Sequence, residues 1–413
     1  MKKERRKKKK QGAAAVPVLV LLCLLGTVIL IWQSRSKVQA AVSAETPAAE
    51  QTAQPPSEPA ASSLPQATPE PTQEPTPEPT TEPTPEPSPE TVHYSIPEEA
   101  RVAPAPLESC YGTVSMDEPE KILPVIQQAR DWGLLGEDEM VAFDPTVSFY
   151  RGLHSRDIEY YLDETILAIL WKENVDGLCC TFTEVKVADP SQFRRKLAED
   201  TYNAANQYYA SDLAAQTQAV VALNADFYRF RDVGIVAADR QLYRFKTSVY
   251  TGSYKLYNCV ETLFVDAKGD FLYKRLGEEN TEESIRQFME ENDVLFSVAF
   301  GPVLIEDGQP IPCTWYPVGE VNQGYSRAGI GQMGPCHYLY MSLNHGDQPA
   351  RWTVSQFAEH FAEKPVLTAY CLDGGQTEEV VFRGIPYNYM DFGKERLVSD
   401  ILYFATAIPE DAR

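Results

Sequence analysis

Apolar and polar positions change their period repeatedly after residue 156. In Thr181-Phe182-Thr183-Glu184-Val185-Lys186-Val187 they alternate, the pattern of a half-buried strand. DIEYYLDETILAILW precedes this run across a turn at Asn174-Val175-Asp176-Gly177, so the two runs read as a hairpin. Helical sequence is expected from 191 to about 218, and AVVALNADFY after it reads as a buried strand ending in polar residues. SYKLYNCVETLFVDAKGDFLYKR returns to strands, with a turn at Lys268-Gly269-Asp270. TEESIRQFMEEN predicts a helix capped by Thr281, with Glu282 and Glu283 favourable in its first turn. SVAFGPVLIEDGQPI predicts a hairpin turning at Asp307-Gly308. In TVSQFAEHFAE, Val354, Phe357, Ala358 and Phe361 share one helical face, and Thr353 with Gln356 forms a capping box. The strand VLTAYCLDGG follows directly. Region 94–156 is mixed, with one helix expected around 120–132. Hairpins interleaved with helices predict an α+β fold of mixed, largely antiparallel sheets with packed helices.

The first ninety residues follow none of these periods. MKKERRKKKK is a basic head, assigned to 1–12, and an uncharged run from Ala13 to Trp32 follows it. At about 1.5 Å per helical residue, that run spans roughly 30 Å, the thickness of a hydrocarbon core. Basic residues remain on the cytoplasmic side, so a single-pass membrane protein with an extracellular C-terminal domain is expected. Small-residue sites at Val38-Gln39-Ala40 and Val42-Ser43-Ala44 leave a cleaved signal peptide as the competing reading. The retained anchor is preferred because the apolar core is longer than a signal peptide needs. Residues 33–93 are expected to be a disordered Pro/Glu/Thr-rich stalk. From 44 to 92 there is no aromatic or basic residue, so no core can be buried. As polyproline II at about 3.1 Å per residue, such a stretch reaches on the order of 150 Å.

Charge follows the same division. The 413 residues carry a net charge of −22, and the acid excess lies beyond the basic head. An acidic ectodomain excludes non-specific binding to nucleic acid and leaves an anionic substrate dependent on a local basic site. Of the eight cysteines, Cys23 falls in the anchor, and the other seven match no zinc module. An odd number leaves at least one unpaired; partial disulfide pairing and buried free thiols both remain open.

Four blocks place polar residues or glycine just past apolar strands: VVALNADFYRFRDVGIV, FSVAFGPVLIEDG, GYSRAGIGQMG, and AYCLDGGQTEE followed by ERLVSDILYFATA. In this order they resemble the phosphodiester glycosidase family, related to N-acetylglucosamine-1-phosphodiester alpha-N-acetylglucosaminidase. The likeness is closest to bacterial, envelope-anchored members. It covers about 157–408 and sets the last domain at 157–413, with 94–156 as its N-terminal extension. Departures stand at Ala225, where the family usually has glycine, at Ala328, usually threonine, and at Gln376 and Thr377, usually glycine and serine.

The resemblance implies an exoplasmic glycosidase acting on a sugar-1-phosphodiester in cell-envelope or exopolysaccharide glycans. The alternative is a degenerate member that binds such glycans without cleaving them. Asp373 and Asp226 are the catalytic candidates, since the anomeric carbon needs a facing carboxylate or base. Asn224, Arg327, Gly374, Gly375 and Thr377 are the substrate-binding candidates. Arg327 is the one Lys or Arg between Arg286 and Arg351, which makes it the natural phosphate clamp, with a surface arginine paired to one of the many acids as the alternative. Gly374 and Gly375 would let backbone N–H groups approach phosphate oxygens. Glu378 and Glu379 are expected to be solvated, and His345 to be a surface loop residue with acid–base work as the alternative. No cofactor, metal site, nucleic-acid partner or protein partner is expected. The partners are a glycan or glycophospho-polymer and the membrane.

Overall fold

A computed structural model describes residues 93–412 apart from Phe227 and residues 230–232, 247–248, 252–253, 257–260, 276–279 and 317–320. The expected head, anchor and almost all of the stalk lie outside the described residues. Among the described residues no helix is long and apolar enough to cross a membrane.

Two antiparallel sheets face one another. The larger has nine strands in the spatial order Tyr111–Val114, Ile158–Asp163, Ile166–Val175, Leu178–Val187, His337–Asn344, Arg327–Gly334, Thr368–Leu372, Val303–Glu306 and Gln309–Pro310. The smaller runs Ile385–Pro386, Val380–Phe382, Val221–Asn224, Asp400–Phe404 and Phe193–Leu197. A three-stranded sheet (Phe271–Lys274, Thr262–Asp266, Val294–Val298) and the hairpin of Gly234–Ala238 with Gln241–Lys246 adjoin them. The described helices are α1 (Leu123–Asp131), α2 (Ala210–Thr217), α3 (Glu282–Glu291) and α4 (Val354–Phe361).

Strand alternation divides the interior. In Ile166–Val175, Leu167, Ile169 and Trp171 enter the core shared with α1 and α4. Ile166, Ala168 and Leu170 enter the core between the two large sheets, where they meet Leu223, Leu402 and Phe404. Phe193 stacks on Phe404 there, with ring centroids 4.6 Å apart. Each such fully buried side chain contributes roughly 1.5–3 kcal/mol relative to exposure. Helix α2 covers the other face of the smaller sheet, against Ala222, Ile401 and Tyr403. Two glycines of the third sequence block serve this packing. A Cβ on Gly329 would stand 3.1 Å from Phe357, and one on Gly331 would meet Val366, so both let the sheet approach α4.

The expected caps form. Thr281 Oγ1 accepts from the Ser284 amide at 3.1 Å, and Thr353 Oγ1 from the Gln356 amide at 3.2 Å. The helix expected over 191–218 is corrected to α2 alone. Phe193–Leu197 is instead a strand paired with Asp400–Phe404. Its Arg-Arg-Lys centre suggests an exposed helix, but Arg195 is fully buried against Asp400, its Nη2 2.6 Å from Asp400 Oδ2. All six described cysteines are free thiols.

Candidate active site

Antiparallel pairing brings several strand ends to one edge of the large sheet. Arg327 begins its strand opposite Leu343, beside the end of His337–Asn344, and Ala328 pairs with Leu372, the end of Thr368–Leu372. Asn224 ends its own strand in the facing sheet. Its Nδ2 donates to the Asp373 carbonyl at 2.7 Å, and its Oδ1 accepts from the Tyr340 hydroxyl at 2.8 Å. Asn224 thus ties the two sheets together where the Asp373-Gly374-Gly375 turn leaves the strand.

That turn is shaped by its glycines. Gly375 takes φ +67°, and a Cβ on Gly374 would lie 2.5 Å from the Ser326 carbonyl oxygen. No other residue fits at Gly374 without moving the backbone of Ser326. Thr377 Oγ1 donates to Asp373 Oδ2 at 2.6 Å and to the Gly374 carbonyl at 2.8 Å, fixing the carboxylate. Gln376 is in the ordinary negative-φ range and its Nε2 donates to the Lys394 carbonyl at 3.4 Å. The bulk of Gln376 is therefore accommodated without backbone strain.

Three side chains outside the expected site set border the turn: Ser326 and Asp391, which the sequence did not single out, and His345, expected as a surface loop residue with acid–base work as the alternative. His345 Nδ1 lies 2.6 Å from Asp391 Oδ1, and Ser326 Oγ donates to the same oxygen at 2.8 Å. A Cβ on Gly375 would stand 3.6 Å from Asp391 Oδ2, which puts this group against the glycine wall. The signal in the sequence was faint: Ser326 sits inside GYSRAGIGQMG, while His345 and Asp391 lie in loops.

Glu378 and Glu379 correct the expectation of solvated acids. Both are buried, flanking the start of the strand Val380–Phe382. Burial pushes the Glu378 carboxyl well above the usual carboxylate range. Its Oε1 accepts from Asn344 Nδ2 at 2.8 Å, and Asn344 Oδ1 in turn accepts from Ser342 at 3.2 Å and from Thr181. Asp391, Arg327 and Asp373 all act electrostatically on Glu378. Glu379 is pushed up to about 9 by burial and by a hydrogen bond with Glu395. The readable signal was position, since TEEVVF runs straight into a buried strand.

Arg327 and Asp226 stand apart from that cluster. Arg327 is almost buried; its Nη2 donates to the Gln323 carbonyl at 2.8 Å and its Nε to the Trp352 carbonyl at 3.2 Å. Its neighbour Ala328 faces the inter-sheet core, where the hydroxyl of a threonine would meet Ile330 and Leu372. Asp226 has no exposed side-chain surface. Its Oδ2 accepts from the Ala299 amide at 2.9 Å and lies 3.8 Å from Arg195 Nη2. A direct part for Asp226 in catalysis would require substrate to reach this closed ion cluster. The structure thus gathers Asn224, Asp373, Gly374, Gly375 and Thr377 with the Arg327 backbone. The Arg327 guanidinium is tied to carbonyls, and the Asp226 carboxylate lies in the buried cluster. Among the described residues no three His, Cys, Asp or Glu side chains are grouped to hold a metal ion.

The stacked antiparallel sheets bring a glycine turn, carboxylates and a histidine to one common edge. Residues 217–405 match the family model of the phosphodiester glycosidases. Among solved structures it is similar to the catalytic domain of zebrafish N-acetylglucosamine-1-phosphodiester alpha-N-acetylglucosaminidase, auto-inhibited by its pro-peptide. That match has 15% identity and a TM-score of 0.45, covering 58% of this chain and 83% of the other. A hypothetical protein from Synechocystis is similar at 15% identity and a TM-score of 0.43, covering 60% of this chain and 64% of the other. No curated protein matches the chain.

Proposed function

We propose that the protein is an exoplasmic glycosidase that hydrolyses a sugar-1-phosphodiester in cell-envelope or exopolysaccharide glycans. The observation that carries this reading is the Asp373 carboxylate, held by Thr377 beside the Gly374-Gly375 turn in a phosphodiester glycosidase domain. The partly exposed carboxylate of Asp373 is suited to stabilise positive charge at the anomeric carbon. A phosphate diester is already a competent leaving group and needs mainly charge stabilisation, for which the Gly374 N–H is the candidate, since the Gly375 N–H is donated to the Ser326 carbonyl at 3.3 Å. The basic head and apolar run at the N-terminus would hold this domain outside the membrane, with the Pro-rich stretch as spacer. Protease added to intact cells should then remove the C-terminal domain; a full-length chain surviving until the envelope is opened would contradict that topology.

A second reading, a family member that binds such glycans without cleaving them, is favoured by one observation. The Arg327 guanidinium is spent on the Gln323 and Trp352 carbonyls rather than held out toward a phosphate. Full-length protein in detergent, incubated with alpha- and beta-linked sugar-1-phosphodiesters, separates the two. Release of free reducing sugar supports the glycosidase, and binding without release on every substrate supports the second reading.

A further inference from the structure

We propose that His345 is the general base of this site and that Asp391 and Ser326 position it. The inference deepens the glycosidase reading and rests on it.

Three separate segments deliver the three side chains. Ser326 precedes the strand Arg327–Gly334, His345 follows the strand His337–Asn344, and Asp391 lies in the loop after Ile385–Pro386. Asp391 Oδ1 takes two donors, Ser326 Oγ at 2.8 Å and His345 Nδ1 at 2.6 Å. A carboxylate accepts only, so the proton of a neutral imidazole must sit on Nδ1. That leaves the lone pair of Nε2 as the free base. The ring keeps 38% of its side-chain surface exposed and Asp391 keeps 22%, so solvent and substrate can reach the pair. This is the arrangement in which a carboxylate fixes the tautomer and orientation of a working histidine.

The surroundings favour proton abstraction there. Asp391 is the one charged side chain within hydrogen-bond distance of His345 among the described residues. The chemistry balances. His345 Nε2 takes a proton from water as the water oxygen bonds to the anomeric carbon. The bond from that carbon to the phosphate oxygen breaks, and its electron pair leaves with the phosphate monoester.

Two measurements on full-length protein test this. In the first, kcat and KM are measured against pH on the methyl phosphodiester of N-acetylglucosamine 1-phosphate and its glucose counterpart. His345→Gln should lower kcat at least about 100-fold with KM within a few-fold, and remove the acid limb of the wild-type profile. Asp391→Asn should lower kcat less and displace that limb. Ser326→Ala should do so more weakly. Activity of His345→Gln within about 3-fold of wild type, with its acid limb intact, overturns the proposal. In the second, long-range 1H–15N correlation reads the His345 tautomer without any turnover. An Nδ1–H tautomer that is lost in Asp391→Asn supports the assignment, and an Nε2–H tautomer overturns it. Wild-type protein that cleaves neither diester counts against the glycosidase reading and so removes the base role with it. Activity retained in His345→Gln removes the base role alone.

Discussion

Replacing Glu379 by glutamine should stabilise the protein, and more so as the pH rises. Glu379 is buried, and its carboxyl is pushed up to about 9 by burial and by its hydrogen bond with Glu395. Two carboxyl groups can share a hydrogen bond only while one of them keeps a proton. In the unfolded chain the same group ionises near 4.5. The folded state therefore holds a proton that the unfolded state releases between about pH 4.5 and 9. Stability is full below 4.5, falls across that window and levels off above it. Each unit is worth about 1.4 kcal/mol, so the cost at pH 7 is on the order of 3 kcal/mol. Glutamine keeps the shape, donates to Glu395 and removes the proton from the balance. Thermal unfolding of Glu379→Gln against wild type should show little change near pH 4.5 and a gain of about 6 °C near pH 7, at roughly 2 °C per kcal/mol. A gain that is the same at both pH values, or a loss at pH 7, would refute the reasoning.

Other expectations concern the site and its supports. Thr377→Ala removes the donor that fixes Asp373 Oδ2 and should lower kcat about 10-fold, with a stability loss of roughly 1–2 kcal/mol by calorimetry. Gly374→Ala drives a Cβ against the Ser326 carbonyl and should abolish binding of the diester, measured by titration calorimetry, while costing at least about 1 kcal/mol. Arg327→Ala should show its effect first as a lowered Tm, because its guanidinium joins Gln323 to Trp352. His337 lies between Glu139 and Glu184, each 2.9 Å away. Burial opposes its charge, yet the hydrogen bonds to the two acids hold its imidazolium above the ordinary histidine range. That contribution is complete below about pH 6.5 and is lost as pH rises through the raised folded value. Urea unfolding of His337→Gln against wild type should show the difference shrinking over that range.

Much of the fold was legible because it rests on local pattern. The caps at Thr281 and Thr353, the turn at Asp307-Gly308 and the hairpin of 166–187 each lie within a few residues of the signal that produces them. Phe193–Leu197 was not legible, because its charged centre is neutralised by Asp400, two hundred positions along the chain. The site divides in the same way. The Asp373-Gly374-Gly375 turn announces itself through its glycines, and Thr377 through proximity. Ser326, His345 and Asp391 meet only after three strand ends have been gathered at one edge. Glu378 and Glu379 look like solvated acids until the strand they lead into is seen to be interior. Arg327 stands out as an isolated base, yet nothing local reveals that two carbonyls claim its guanidinium.

The central claim is that water attacks the anomeric carbon rather than phosphorus. Hydrolysis of the N-acetylglucosamine 1-phosphate methyl diester by the full-length protein in 18O-enriched water tests it directly, read from the mass of the phosphate product, whose oxygens do not exchange. Cleavage at the anomeric carbon predicts unlabelled methyl phosphate, formed by wild type and not by Asp373→Asn. Methyl phosphate or sugar phosphate carrying one 18O would contradict the account.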